Sequence, residues 1–583
     1  MTTRTLAERI EHAQSGPGAG TVRFVSGSSG LVPWGRLLEE SVAVAARLQA
    51  RGVAPGDRVG LLGPTSRALV TAIEATWLAG ATVVVLPLPM RLASVEAFVA
   101  QTRARVAAAG LAVVVADPAL APFLEPAPGD EPAPGDEPAP GDEPGPGDPP
   151  VAMLDDLVTP ADRGAAGWER PRAGRGAAWE RPPADPDALA VLQFTSGSTS
   201  EPKGVMLPHR TVGANLDAMA EAAELDREGD VLVSWLPLYH DMGLIGLLGE
   251  SMTNALDLVL AAPQDFLAAP GRWLEWMSEF GGTVTAGPSF SYALAARALR
   301  RLAPASLDLS RWRIALNGAE PVDPAVVEGF CEAGAGQGLD RRAMFCAFGM
   351  AESTLAVTFP SPGSGMAVDA VDRRILEHER LAVPADPADA AGVRRLARLG
   401  RPVPGLEIRI VDPVTGEDME EREAGELEVR GTSVTPGYHG RPDATAAAFH
   451  DGWLRTGDLA YLVDGELVVC GRLKDVIVVG GRNVFPEDVE RAVGEVEGVR
   501  AGNVIAFGID RHPGREGLVV VAESRQGDVV TLREAVADRV RDAVGLPPEV
   551  VLVTPGTLPK TSSGKLQRSL CRRRYLGADL QLA

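Results

Sequence analysis

Short runs of consecutive apolar residues alternate along the chain with stretches whose apolar residues recur every three or four positions. Residues 57–63 (DRVGLLG), 82–88 (TVVVLPL) and 111–116 (LAVVVA) predict buried strands. Between them, 66–80 places Leu69, Ile73 and Trp77 on one helical face, and 92–109 predicts a second helix. Strand, helix, strand in this order predicts a parallel sheet covered by helices. A further apolar strand, 189–194 (LAVLQF), opens a second alternating stretch that runs to about residue 470. The remainder has its own rhythm. Strands are predicted at 466–470, 475–479, 503–507, 518–522 and 550–553, with helices from Pro486 to about Val496 and near 532–544. That is the content of a small α+β domain. The expected fold class is α/β, with a large N-terminal domain over residues 1–473 and a small, mobile α+β domain over 474–583.

Composition changes this picture in one place. Residues 125–148 read EPAPGD three times and then EPGPGD, without one large apolar side chain. Such a segment cannot offset its ordering entropy by burial, so a disordered surface loop is expected. An imperfect duplication follows, GAAGWERPRA (164–173) against GAAWERPPA (176–184). Both read as slippage in a tolerant loop ahead of the first chemical motif.

The 583 residues exceed one ordinary core, and 45% hydrophobic with 23% charged residues fit a soluble globular protein. A net charge of −22 argues against general affinity for nucleic acid or an anionic membrane. The run Arg572, Arg573, Arg574 is a candidate contact for an acidic carrier, or simply a solvated helix end. Four dispersed cysteines, with no CxxC pair and no zinc spacing, fit a reducing cytoplasm. No signal peptide and no run of the ~18 apolar residues a membrane span needs are visible.

The strongest chemical signal is 194–205, FTSGSTSEPKGV. Thr195, Ser196, Ser198 and Thr199 offer hydroxyls, Gly197 and Gly204 admit close backbone approach, and Lys203 adds positive charge. Together they suit a phosphate, although GxxxxGK[ST] is absent. Further motifs follow in order: SWLPLYHDMGLIG (234–246), NGAEPV (317–322), FGMAEST (348–354), WLRTGDL (453–459), GRLKDVI (471–477) and PKTSSGKLQR (559–568). Over roughly residues 25–575, less the repeats, the chain resembles the adenylate-forming superfamily of acyl-CoA synthetases, nonribosomal-peptide adenylation domains and luciferases.

The resemblance implies two helix-covered sheets and a small β-barrel in the N-terminal domain, and ATP and Mg²⁺ as cofactors. It also implies roles. Glu352, a hard oxygen ligand, would hold Mg²⁺ together with Thr195. Gly318, Ala319, Glu320 and Pro321 would wall the adenine, and Phe348, with Gly349 and Met350 after it, would stack on the base. Asp458 and Arg472 would take the ribose. His240 would line the acyl–adenylate junction. Lys565 would contact the substrate carboxylate and the α-phosphate, where a compact ammonium stabilises developing oxyanion charge. Lys474 would be the hinge of the small domain, and Gly481 would line the thiol approach. Ser289, Phe290 and Tyr292 are candidates for the acyl pocket.

Within the superfamily, the motifs WLPLYHDMGLIG, LDLSRWRIALNGAEPV and GRLKDVIVVGGRNVFPEDVE are similar to those of fatty acyl-AMP ligases. A long stretch near 359–398 falls where those ligases carry an insertion thought to obstruct domain movement. The implied reaction is activation of a carboxylic, fatty acid to acyl-AMP with release of pyrophosphate. Transfer to the phosphopantetheine thiol of an acyl carrier protein or a polyketide or nonribosomal-peptide loading module would follow. CoA or aryl-CoA ligation is the alternative within the fold, and a non-catalytic binding protein is the alternative outside the class.

Overall fold

The computed structural model describes all residues except 1–3, 17, 26–29, 90–94, 125–148, 159–177, 196–202, 387–391, 513–514, 525–527, 562–564 and 581–583. The repeats, most of the duplication that follows them, and Ser196, Gly197, Ser198 and Thr199 therefore lie outside the described residues.

The first predicted strands form as Arg58–Leu62, Thr82–Val85 and Val113–Ala116, with helices Arg67–Leu78 and Val95–Ala109 after the first two. Arg58–Leu62 pairs in parallel with both others, as the strand–helix–strand order requires. Val151–Met153 and Leu189–Thr195 extend this sheet in parallel, and Lys203–Pro208 closes it antiparallel to Leu189–Thr195. A second, seven-stranded sheet is parallel from Met344–Cys346 through Ile314–Asn317, Val284–Gly287, Val231–Ser234 and Asp257–Leu260 to Thr21–Phe24. One large core cluster, including Trp34, Trp77, Trp273 and Trp312, packs the helices around both sheets. Burying such side chains stabilises by about 1.5–3 kcal/mol each. A third, five-stranded antiparallel sheet, Leu406–Val411 to Glu466–Arg472, follows.

The final part is a three-stranded sheet, Val499–His512, Arg515–Ser524 and Pro548–Val553. Alternation along Val519, Val520 and Val521 sends side chains to two separate clusters, one on each face. Helices Pro486–Gly494 and Val529–Val544 supply Val489, Val493, Val536, Val540 and Val544 to one cluster, and Cys571 of Arg568–Leu576 belongs to the other. The stretch read as an insertion is ordered over its described residues. Val368–Asp372 and Val393–Ala397 pair as a hairpin around the short helix Arg373–Glu379, whose Asp372 cap accepts from the Ile375 N–H.

Three charged contacts brace the C-terminal part, one within it and two to the insertion. Arg568 reaches Glu490 through two nitrogens (2.8 and 2.7 Å), Glu487 (2.9 Å) and Asp475 (3.1 Å). The insertion's Arg394 lies 2.8 Å from Asp488 and 3.9 Å above the Phe485 ring, while Glu377 pairs with Arg482 at 2.6 Å.

Candidate active site

The sequence motifs meet in one cleft because most of them end strands. Thr195 and Lys203 are cross-strand partners at the mouth of a hairpin, and Phe194 faces Gly204 beside them. The phosphate-suited motif thus begins and ends on paired strands, which fix Thr195 and Lys203 side by side. Gln193 on the same strand donates to the Tyr239 carbonyl at 2.9 Å, tying this loop to the segment that carries His240.

His240 and its neighbour Asp241 approach at 2.5 Å, Nδ1 to Oδ1. The chain then winds as a π-helix, Met242–Gly249, started by Asp241 on the Met242 N–H. Wide helical turns of this kind are frequent at functional sites. Burial would push the Asp241 carboxyl up, but His240 and Lys565 hold it below its ordinary value.

The NGAEPV segment leaves the strand Ile314–Asn317. Ala319 takes a positive φ of 69°, which turns the following residues back towards helix Ser289–Leu299. Glu320 accepts from the Phe290 N–H at 2.7 Å, at the N-terminal end of that helix, where backbone N–H groups favour an anion. Ser289 donates to the Asn317 side chain at 3.1 Å and to the Pro321 carbonyl at 3.3 Å. Tyr292 instead points into the aromatic core. Its ring lies 5.3 Å from Trp273 and 5.0 Å from Phe330, and its hydroxyl donates to the Leu316 carbonyl at 2.8 Å. The structure brings Ser289 and Phe290 to the Glu320 side and Tyr292 to the interior.

Phe348 and Gly349 form a two-residue strand against Ala356–Phe359. A Cβ at Gly349 would stand 2.2 Å from the Leu355 carbonyl oxygen, so this turn admits no side chain. Met350 and Leu355 close the turn with a backbone hydrogen bond of 2.8 Å, and Glu352 sits in it on a single 3₁₀ turn. One oxygen of Glu352 accepts from the Tyr438 hydroxyl at 2.9 Å.

Asp458 and Arg472 face each other across an antiparallel pair, and Arg472 donates to Oδ1 at 2.9 Å. The other Asp458 oxygen is buried and has no hydrogen-bond partner. Burial pushes this carboxyl up and Arg472 opposes the shift. A buried carboxylate oxygen without a donor suits a hydroxyl-bearing ligand such as ribose. Lys474 lies exposed in the turn after Arg472, and burial of its ammonium still holds its pKa down. Gly480 and Gly481 form the tip of the next hairpin with φ of 60° and 77°, and the Gly480 N–H donates to Glu516 at 3.0 Å.

Lys565 comes from the far end of the chain. Its N–H donates to Thr561 Oγ1 at 3.1 Å and its carbonyl accepts from the Thr561 N–H at 2.8 Å, holding the ends of its loop together. Burial depresses its pKa. Asp241 and Glu320 oppose that shift, Arg472 adds to it, and Asp458 opposes it. The ammonium is therefore within electrostatic reach of four groups from four separate sequence motifs. Among the described residues no cluster of three or more His, Cys, Asp or Glu could hold a metal. The donor set is instead one carboxylate, Glu352, linked through the Tyr438 ring to Lys203, whose cross-strand partner is Thr195. That fits Mg²⁺, which is commonly held by one or two carboxylates plus substrate phosphates. Reasoning from sequence missed Asp241 and Tyr438. The signal for the first was its place beside His240, and for the second the TPGYHG turn (435–440).

The family model of the AMP-binding enzyme matches residues 11–439, and that of the AMP-binding enzyme C-terminal domain matches residues 481–573. The chain belongs to the AMP-binding enzyme family. A Mycobacterium tuberculosis protein named as a ligase, Rv1013, is 38% identical over 546 residues, covering 92% of this chain and 93% of its own. The medium-chain-fatty-acid–[acyl-carrier-protein] ligase JamA of Moorena producens is 36% identical over 414 residues, 68% of this chain and 70% of its own. Among solved structures, one from work on the fatty acyl-adenylate ligases of E. coli and L. pneumophila superposes with a TM-score of 0.86 at 32% identity. It covers 99% of this chain and 98% of its own. This AMP-binding enzyme is accordingly an AMP-forming, acyl-activating ligase of the fatty acyl-AMP ligase type, with the large N-terminal and small C-terminal domains of that fold. Among the described residues no helix is long and apolar enough to cross a membrane.

Proposed function

We propose that the ligase joins a fatty acid to ATP and then hands the acyl group to the phosphopantetheine thiol of a separate acyl carrier protein. In the first step a carboxylate oxygen attacks the α-phosphorus, the bond to the β-phosphate breaks, and pyrophosphate leaves. In the second, the thiol sulfur attacks the acyl carbon, its proton is released, and AMP leaves. Mg²⁺, when bound, neutralises phosphate charge. Glu352 and Thr195 would hold it. Lys203 would take the phosphates, Asp458 the ribose hydroxyls through its unpartnered oxygen, and Phe348 with residues 318–321 the adenine. Lys565 would meet the carboxylate and the α-phosphate, in a site where charge acts strongly because water is scarce. His240 would border the acyl–phosphate junction, with Ser289 and Phe290 towards the acyl chain. The turn at Lys474 would let residues 474–583 rotate, and Gly481 would then line the thiol path.

What supports this reading is the placement of the Lys565 ammonium within electrostatic reach of Asp241, Glu320, Asp458 and Arg472, residues 93 or more positions away in sequence, beside the unpartnered oxygen of Asp458. The carrier as acceptor is supported by likeness to JamA and by the ordered insertion packed against the C-terminal part. The test is acid-dependent pyrophosphate release over a panel of chain lengths, followed by acyl transfer to CoA and to a carrier protein of a loading module. Fatty acids should give release and the carrier should be acylated. Rapid conversion to acyl-CoA would place the enzyme with CoA ligases, and no release with any acid would refute the reading. A reducing cytoplasmic setting fits the four cysteines, all without disulfides.

A further inference from the structure

We infer that Tyr438 is a positioning residue of the adenylation step, one side chain that sets the spacing between Lys203 and Glu352. The inference rests on the adenylation reading above. The Tyr438 hydroxyl donates to Glu352 Oε1 at 2.9 Å, and the Lys203 ammonium lies 4.7 Å from the centre of the same ring. A cation over a phenol ring is attracted to its negative face, and a carboxylate oxygen that accepts an O–H is held in one orientation. The two groups expected to receive the ATP phosphates and their Mg²⁺ are thus referenced to opposite parts of one rigid ring.

The ring itself is firmly set. Tyr438 is 8% exposed. The His439 N–H donates to the Gly204 carbonyl at 2.8 Å and the Met206 N–H to the Gly437 carbonyl at 3.0 Å, stitching the TPGYHG turn to the strand that carries Lys203. On the other side, the Thr435 N–H donates to the Glu352 carbonyl at 2.8 Å, while the Thr435 hydroxyl donates to the Met206 carbonyl at 2.6 Å. The turn therefore touches both the phosphate-loop strand and the Glu352 turn through backbone and through one side chain. With Oε1 engaged by Tyr438, Oε2 is the oxygen Glu352 can offer to a hard cation. Such a support beneath a metal ligand tunes affinity by fixing the ligand's orientation.

Two variants separate the two contacts. Tyr438→Phe keeps the ring under Lys203 and removes only the hydroxyl. It should raise the Mg²⁺ concentration for half-maximal pyrophosphate release roughly tenfold, the scale of one hydrogen bond to a charged group. The same shift should appear in the Mg²⁺ dependence of ATP binding, followed by calorimetry without any acid, and the KM for the acid should not move. Tyr438→Leu should in addition weaken ATP binding in the presence of EDTA by roughly threefold or more, because the cation–π seat is lost. In a Glu352→Gln background, Tyr438→Phe should add nothing to the Mg²⁺ dependence. Wild-type Mg²⁺ and ATP binding in Tyr438→Phe would overturn the inference and reduce the contact to a loop anchor, as would a full additional loss on Glu352→Gln. Failure of the wild type to release pyrophosphate with any acid would sink the adenylation reading instead, and the calorimetric arm would still decide the role of Tyr438.

Discussion

Two regions of the ligase bury charge, and they dispose of it differently. In the cleft, Asp458 keeps one buried oxygen without a partner, and burial depresses the pKa of Lys565 while Asp241 and Glu320 oppose that shift. At the joint between the insertion and the C-terminal part, charge is matched internally. Arg394, 3% exposed, faces Asp488, 6% exposed, and Glu377 faces Arg482. The Arg394 contact is close but not aligned as a hydrogen bond, since Nε and Asp488 Oδ2 lack bonded partners, so its attraction is mainly ionic. Buried atoms without a hydrogen-bond partner occur in both places, so charge is what separates them: the joint pairs each of these cations with a carboxylate, whereas Lys565 makes no ion pair among the described residues, which leaves its charge for substrate.

The sharpest way to break the contrast is Lys565→Ala. Pyrophosphate release should fall by about 10²–10³-fold or more, the range seen when one preorganised charge stabiliser is removed. The unfolding midpoint should stay within error of wild type, and an unchanged rate of release would remove Lys565 from the chemistry.

At the joint, Asp488→Ala should behave in the opposite way. It leaves a buried guanidinium unmatched and should cost about 3–5 kcal/mol in urea unfolding. The double variant Arg394→Met with Asp488→Leu should recover most of that loss. If the single variant is as stable as the wild type, the pair does not hold position.

Glu74 is a third case, a buried carboxyl with neither substrate nor cation. Gln14 and Ser41 lie beside it, yet its oxygens have no well-aligned partner, and burial raises its pKa to about 8. The folded value lies above the unfolded one, so the stabilisation is complete below about pH 4.5 and is lost as pH rises through about 8. Glu74→Gln should therefore gain stability relative to wild type between pH 6 and pH 9, by a few kcal/mol at most. Parallel urea midpoints at the two pH values would show it. A constant difference would mean that Glu74 titrates normally.

Lys474→Pro addresses whether the joint must open. Proline fixes φ, so transfer to a carrier should fall roughly tenfold while pyrophosphate release stays within about threefold. Equal losses in both half-reactions would refute the hinge. The smallest effect is expected from deleting residues 125–148, since loop length costs only ~0.6 kcal/mol per doubling. Adenylation within a few-fold of wild type is the expected result, and loss of expression would assign the repeats a structural role.

Much of the cleft was legible because several of its residues sit at the ends of strands, and strand ends are marked by local sequence: Thr195 after LAVLQF, Asn317 after an apolar run, Arg472 after ELVVCG; Asp458, expected from its motif, lies instead inside the strand Trp453–Val463. The strands themselves fell within a few residues of their predicted places, from Arg58–Leu62 to Pro548–Val553. What local pattern could not carry was pairing over long separations. Tyr438 meets Glu352 across 86 positions and Arg394 meets Asp488 across 94, and neither spacing leaves a trace in periodicity. Tyr292 shows the same limit from the other side. Its neighbours Ser289 and Phe290 turn towards Glu320, but the helical advance of about 100° per residue carries Tyr292 round to Trp273 and Phe330. The pairing of Val368–Asp372 with Val393–Ala397 as a hairpin within the insertion is another long-range match that local pattern did not show.

Arg568 has a mechanical consequence. It follows Lys565 by three residues and clamps that loop to Glu487 and Glu490 on one helix and to Asp475, the residue next to Lys474. The clamp ties the Lys565 loop to the segment beside Lys474. If residues 474–583 turn at Lys474, as proposed above, the torsion is delivered to Lys565 as the displacement of a stiff lever. Withdrawal of the cation and exposure of the thiol face would accordingly be a single stroke, timed by one joint rather than by two independent loops.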